Sequence, residues 1–185
     1  GDAMSRLGDN VAADSALGEA LGIAREIGNG SLGAEVLSLR AGTLLARGDR
    51  DRAAAAAGEA VAAARAAKDV RLVLLARLQD AAAKGHAADL EEIAAEAERS
   101  GLKPVAAAAQ LALARVLLGA RRPGDALGPA EKAAGLAEAL RQRDVAFQAR
   151  TVAAEALSKS GRPDRAAETC LAALASLEQI RKGLD

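Results

Sequence analysis

Leu44-Leu45-Ala46-Arg47-Gly48-Asp49-Arg50-Asp51-Arg52-Ala53 reads as the apolar end of one helix, a glycine turn, and the start of a second helix. The order returns in weaker form at 81–90 and 117–126, and most clearly as Leu157-Ser158-Lys159-Ser160-Gly161-Arg162-Pro163-Asp164-Arg165-Ala166. A truncated copy, Arg6-Leu7-Gly8-Asp9-Asn10-Val11-Ala12-Ala13, opens the chain. The first stripe residues after these turns are Ala13, Ala53, Leu90, Ala126 and Ala166, spaced 40, 37, 36 and 40 apart. A period of that size is one helical hairpin per repeat. Each turn is followed by mostly small residues at i, i+4 and i+7: Ala53, Ala57 and Ala60; Leu90, Ala94 and Ala97; Ala126, Ala130 and Ala133; Ala166, Cys170 and Ala173. Ala13, Leu17 and Ala20 complete the series. Such spacing draws a narrow apolar stripe along one helix face, along which two backbones can approach closely.

Composition agrees with that reading and closes off several functions. Of 185 residues, 52 are alanine and 26 leucine, so the strongest helix formers dominate. Lys plus Arg number 25 and Asp plus Glu 25, a balance that argues against a nucleic-acid partner. Phe147 is the sole aromatic residue, which leaves nothing for a stacking site. One Cys and one His exclude a disulfide framework, a zinc site and most His-dependent catalysis. The longest uncharged run, Pro104 to Ala114, is eleven residues, against the roughly 20 a membrane helix needs. No signal peptide is evident at the start. A soluble, cytoplasmic protein without cofactor or metal is the expectation.

These residues resemble the tetratricopeptide repeat (TPR) family. In that family a leading helix A carries a small residue midway, glycine sits at the turn, and helix B carries small residues at its start and middle. Ala41, Gly48, Ala53 and Ala60 match in one repeat; Ala114, Ala126 and Ala133 in another; Ala154, Gly161, Ala166 and Ala173 in the last. Leu78 and Leu90 depart from the pattern, and the periods exceed the usual length of about 34. The resemblance implies an all-α, right-handed α-solenoid of stacked antiparallel helix hairpins. A half repeat covers 5–30, and full repeats 31–68, 69–101, 102–142 and 143–182. Another solenoid of helix pairs is the structural alternative.

Start and stop signals predict nine helices near 9–27, 31–47, 50–67, 70–84, 87–100, 104–120, 124–141, 144–160 and 163–182. Ser31, Asp69 and Asp144 are the expected N-caps. Gly101 suits a left-handed helix end. Pro129 removes a hydrogen bond inside the seventh helix, which predicts a late start or a kink there. Gly42, Gly58 and Gly135 fall within helices at about 1 kcal/mol each relative to alanine. Close helix crossing and the absence of any role are equally good accounts of them.

Candidate chemistry is sparse. His86 follows a turn glycine without a His or Cys partner, so a solvated turn residue is the reading. Cys170 sits in the apolar stripe, which predicts burial as small filler. Asp89, Glu91, Glu92, Glu96 and Glu98 share a helix with Leu90 and Ile93 and read as a solvated face. An acidic docking patch is the lesser alternative.

What remains is a surface. The resemblance implies that A helices line a concave face that binds peptides or partner proteins. Those helices carry Arg40, Arg77, Arg115 and Arg150, with Glu35, Gln79, Gln148 and Glu155 nearby. Of these, Arg40, Arg77, Gln79, Arg115, Gln148 and Glu155 are the candidate partner-binding residues. Arginines in a row can grip carboxylates; solubilising side chains are the plainer and weightier reading. The family's carboxylate clamp does not carry over, because the corresponding positions hold Ser38, Gly42, Leu75, Gln79 and Leu111. A non-catalytic protein-interaction module is the expected function, and a ligand- or peptide-sensing regulatory domain the alternative. The chain opens mid-repeat and ends without a polar capping helix, so it reads as excised from a longer protein. Leu171, Leu174, Leu177 and Ile180 would then lie partly uncovered. Helix 163–182 is expected to meet neighbouring domains or a second copy of the chain.

Overall fold

The computed structural model describes residues 10–182, and side-chain surroundings for 12–175. Among them are α1 (Asn10–Glu26), α2 (Gly30–Ala46), α3 (Arg50–Ala66), α4 (Val70–Lys84), α5 (Ala87–Arg99), α6 (Lys103–Gly119), α7 (Pro123–Ala139), α8 (Arg143–Lys159) and α9 (Pro163–Lys182). No strand occurs among the described residues. The opening turn Arg6-Leu7-Gly8 and the side chains of Leu177 and Ile180 lie outside them.

Two compact units divide the chain at the α4–α5 turn, inside the expected repeat 69–101; the first ends at His86 and the second begins at Ala87. In the first, α1, α2, α3 and α4 pack in succession, and the A helices α2 and α4 also touch each other. In the second, α5 through α9 pack in succession, and the A helices α6 and α8 touch. The stripes supply the seams. Ala53, Ala57, Ala60 and Ala64 are fully buried on α3, as are Ala126, Ala130, Ala133 and Ala137 on α7. Leu90, Ala94 and Ala97 do the same on α5. Larger side chains fill the spaces between, and Leu44, Leu72, Leu74, Leu90, Ile93 and Leu157 are the largest wholly enclosed.

Hairpins close through tight turns that reuse one device. Gly48 donates to the Leu45 carbonyl at 2.9 Å and Asp49 to that of Leu44 at 3.0 Å, which satisfies two carbonyls left over at the end of α2. The motif needs one residue at positive φ. Gly48 (80°) and the expected Gly101 (70°) supply it without strain. Lys68, Arg121 and Arg141 adopt it at 55°, 59° and 56°. All three are cations at a helix C-terminus, where the backbone carbonyls attract positive charge and offset the strain.

Several local expectations are corrected. Ser31 lies within α2, and the cap is Asn29, whose side chain accepts from Leu32 N at 3.0 Å. Asp144 lies in the first turn of α8, whose N-cap, Gln142, makes no side-chain capping bond. Asp69 caps α4 as expected, accepting from Leu72 N at 2.9 Å, and Asp49 caps α3 the same way. A late start at Pro129 does not occur, because α7 is helical from Pro123 through Pro129 to Ala139. The carbonyl left without a donor belongs to Asp125, which is exposed, so water can serve it.

Close crossing does not explain Gly58 or Gly135. Both are exposed, and a Cβ added at either would meet nothing within 4 Å. Gly58→Ala and Gly135→Ala are therefore each expected to stabilise the protein by about 1 kcal/mol. A higher urea midpoint at unchanged slope would verify this; a lower midpoint would refute it.

Cys170 is exposed, contrary to the burial expected from its stripe. It stands four residues after Ala166, as Ala57 does after Ala53 and Ala130 after Ala126. Ala57 is enclosed within a core that joins α2, α3 and, through Ala83, α4. No described helix follows α9 to cover the same row. Leu171 and Leu174 are 67% and 55% exposed, as expected for that end.

Candidate interaction surface

On the A helices of the first unit, α2 and α4 bound an open cavity of about 200 Å³. Leu39 of α2 and Leu75 of α4 line it, together with Glu35, Ser38, Gly42, Thr43 and Gln79. The helical period produces this grouping, because Glu35, Ser38, Leu39 and Gly42 recur at three- and four-residue intervals on one face of α2. Leu75 and Gln79 do so on α4. Four of the five clamp-equivalent positions thus meet here, without a cation among the lining residues. Ser38 and Thr43 donate their hydroxyl protons to the Ala34 and Leu39 carbonyls at 2.9 and 3.1 Å. Gln79 makes no side-chain hydrogen bond to another described residue.

Arg40, on the same helix, is engaged elsewhere. Its Nε donates to Asp14 of α1 at 2.7 Å, and the same carboxylate lies 3.6 Å from Arg47 and 3.0 Å from Arg52. One half-buried carboxylate therefore ties α1 to α2, to the turn after it, and to α3. The Arg40 hydrogen bond holds Asp14 below its ordinary value of 3.8, against the opposing effect of burial and with further help from Arg52. A depressed folded value means stability that is present above 3.8 and lost as the pH falls through the folded value. Asp14→Asn is expected to lower stability by about 2 kcal/mol at neutral pH. Urea melts at descending pH should show the two proteins converge in acid; a gap unchanged in strong acid would refute the linkage.

Arg77 is half-buried on α4 and does not line the cavity. In the second unit Arg115 and Gln148 meet at 2.7 Å, joining α6 to α8. Arg115 keeps an exposed surface, yet desolvation by the surrounding helices lowers its pKa from the usual arginine value without discharging it near neutrality. Arg150 pairs with Glu138 of α7 at 2.6 Å and donates to the Ala172 carbonyl of α9 at 3.1 Å. Glu155 pairs with Lys159 one turn on, at 2.6 Å. The structure thus joins Arg115 to Gln148 and places Gln79 in a cavity, while Arg40 and Glu155 belong to other ion pairs.

A second cavity, of about 540 Å³, lies among α7, α8 and α9. Glu138, Arg141, Arg143 and Arg150 surround it over the alanines Ala137 and Ala146. Neither cavity was visible in the sequence. The useful signal for the first was the co-occurrence of Gly42 and Gln79 on facing A helices. On α5, Asp89, Glu91 and Glu92 are exposed, and Glu98 pairs with Lys132 at 2.6 Å. His86 is exposed. The described residues contain no acidic, His or Cys grouping able to hold a metal, and no helix long and apolar enough to cross a membrane.

No protein-family model and no curated protein sequence matches this chain. Solved structures do. A Podosopora anserina protein described as a kinesin light chain with nearly identical TPR-like repeats aligns at TM-score 0.57 and 17% identity, over 96% of this chain and 91% of its own. A single-substitution variant of it aligns at TM-score 0.61 and 17% identity, over 97% and 92%. Together with the succession of packed helices, this likeness shows that the chain has the fold of a TPR-like helical repeat array.

Proposed function

We propose that the chain is a non-catalytic interaction module that binds a peptide or partner protein on its A-helix face. The cavity between α2 and α4 carries this reading, because it opens beside an exposed leucine and offers an amide that makes no side-chain hydrogen bond to another described residue. TPR-like repeats commonly mediate such contacts through stacked helices. At about 200 Å³ the cavity is smaller than the roughly 300–1,000 Å³ of small-molecule sites. The exposed thiol of Cys170 fits a reducing compartment such as the cytoplasm.

The test is capture of partners by the immobilised chain and by a Leu39→Lys variant, which places a charge on the exposed leucine of the α2–α4 cavity. Hydrogen exchange is then mapped on the complex. Loss of the partner in the variant and protection of α2 and α4 are expected. A partner retained undiminished, with protection on α3, α5 and α7 instead, would refute the proposal. The 540 Å³ cavity of the second unit has the size of a small-ligand site and favours ligand sensing as a second reading.

A further inference from the structure

We infer that the α2–α4 cavity is an anchor pocket for one aliphatic or aromatic side chain of an extended peptide, with basic residues flanking the anchor. The inference rests on the proposed function and adds the chemistry of the partner. Size supplies the first constraint, since the cavity can enclose a side chain while the rest of the ligand stays outside. Its walls supply the second. Leu39 is 42% exposed and Leu75 half-buried, so a docked apolar group would remove surface from water on both sides.

Hydrogen-bonding capacity supplies the third. With the Ser38 and Thr43 protons committed to helix carbonyls, the Gln79 amide is the uncommitted donor among the lining residues. A primary amide both donates and accepts, which matches the N–H and C=O of a main chain passing the anchor. Charge supplies the fourth. Glu35 is the one ionisable lining residue, and its contact to Arg71 is 3.8 Å long between two exposed side chains. So exposed and long a pair is weakly held, so a lysine or arginine of the ligand can replace Arg71 beside Glu35, whereas a ligand carboxylate would meet an acid there. Gly42 adds no side chain to the floor; a Cβ there would stand in ordinary contact with Gln79 at 3.7 Å, so a longer side chain is needed to fill the cavity.

The probes are capped seven-residue peptides with lysine at both ends and leucine, phenylalanine, alanine or aspartate at the centre. They are titrated into the full chain labelled with ¹⁵N. The leucine and phenylalanine peptides should bind at least about tenfold more tightly than the alanine and aspartate peptides. The shifted amides should surround Gly42 and Leu75. Replacing the end lysines by glutamate should weaken binding, and Gly42→Leu should abolish the preference for leucine by filling the floor. Should that variant not fold, Leu39→Lys on the exposed wall must produce the same loss. Equal affinities across the four central residues, shifts centred elsewhere, or a preference that survives these variants would overturn the pocket. Such a failure, with a captured partner still protecting the A helices, would leave the proposed function standing.

Discussion

Leu44→Ala is expected to destabilise the unit formed by α1–α4 by about 4 kcal/mol, near the upper end for such truncations. The reason lies in what surrounds the side chain. Leu44 is 1% exposed and sits among Ala41, Ala53, Ala56, Ala57 and Ala83, with the partly buried Leu45 the one other long side chain of that cluster. Cores usually recover part of the loss when neighbouring long side chains swing into the vacated space. Alanines cannot do so, since their single methyl has no torsion that moves it inward, and the helices that carry them are already in close contact. Leu45 alone can swing part of the way in, so most of the void should persist. Urea unfolding followed by circular dichroism would measure the effect, and a loss below about 2 kcal/mol would show that the backbones close the gap.

Ala130→Leu and Cys170→Leu form a matched pair with opposite expected results. The two positions are 40 residues apart and equivalent in the repeat. Ala130 is wholly buried on α7, and three added carbons must push α7 away from its neighbours or force strained rotamers, at about 3 kcal/mol. Cys170 is exposed on α9, so leucine there should change stability by less than about 0.5 kcal/mol. Thermal or urea midpoints of the two variants decide it. Comparable losses at both sites would mean that the row on α9 is covered in solution, which size measurement at several concentrations would then identify as self-association.

The helices were legible because their signals are local and repeated. Glycine turns and alanine stripes place the helix bounds within about two residues, and the Leu171 and Leu174 exposure follows from their position on the last helix. Capping was less legible. Asn29 lies before Gly30, a residue that reads as turn yet begins α2, and so Ser31 looked the better start. Cys170 was misjudged because burial of a stripe depends on the next helix, which no residue within the stripe encodes. The surface was the least legible. Arginines recur on the A helices, but whether each faces open solvent or a neighbouring carboxylate depends on tertiary placement; Asp14, which takes Arg40, is 26 residues away. Gly42 is one of the residues that line the cavity, and helix periodicity alone does not distinguish a vacancy from a seam.

A core filled with methyl groups also sets how the protein responds to temperature. Unfolding releases little hydrocarbon per residue when the enclosed positions are so often alanine rather than leucine or phenylalanine. The accompanying rise in heat capacity should then fall below the ordinary ~12–15 cal/mol/K per residue. Free energy plotted against temperature becomes a broad, shallow arch, with cold losing much of its power to loosen the array.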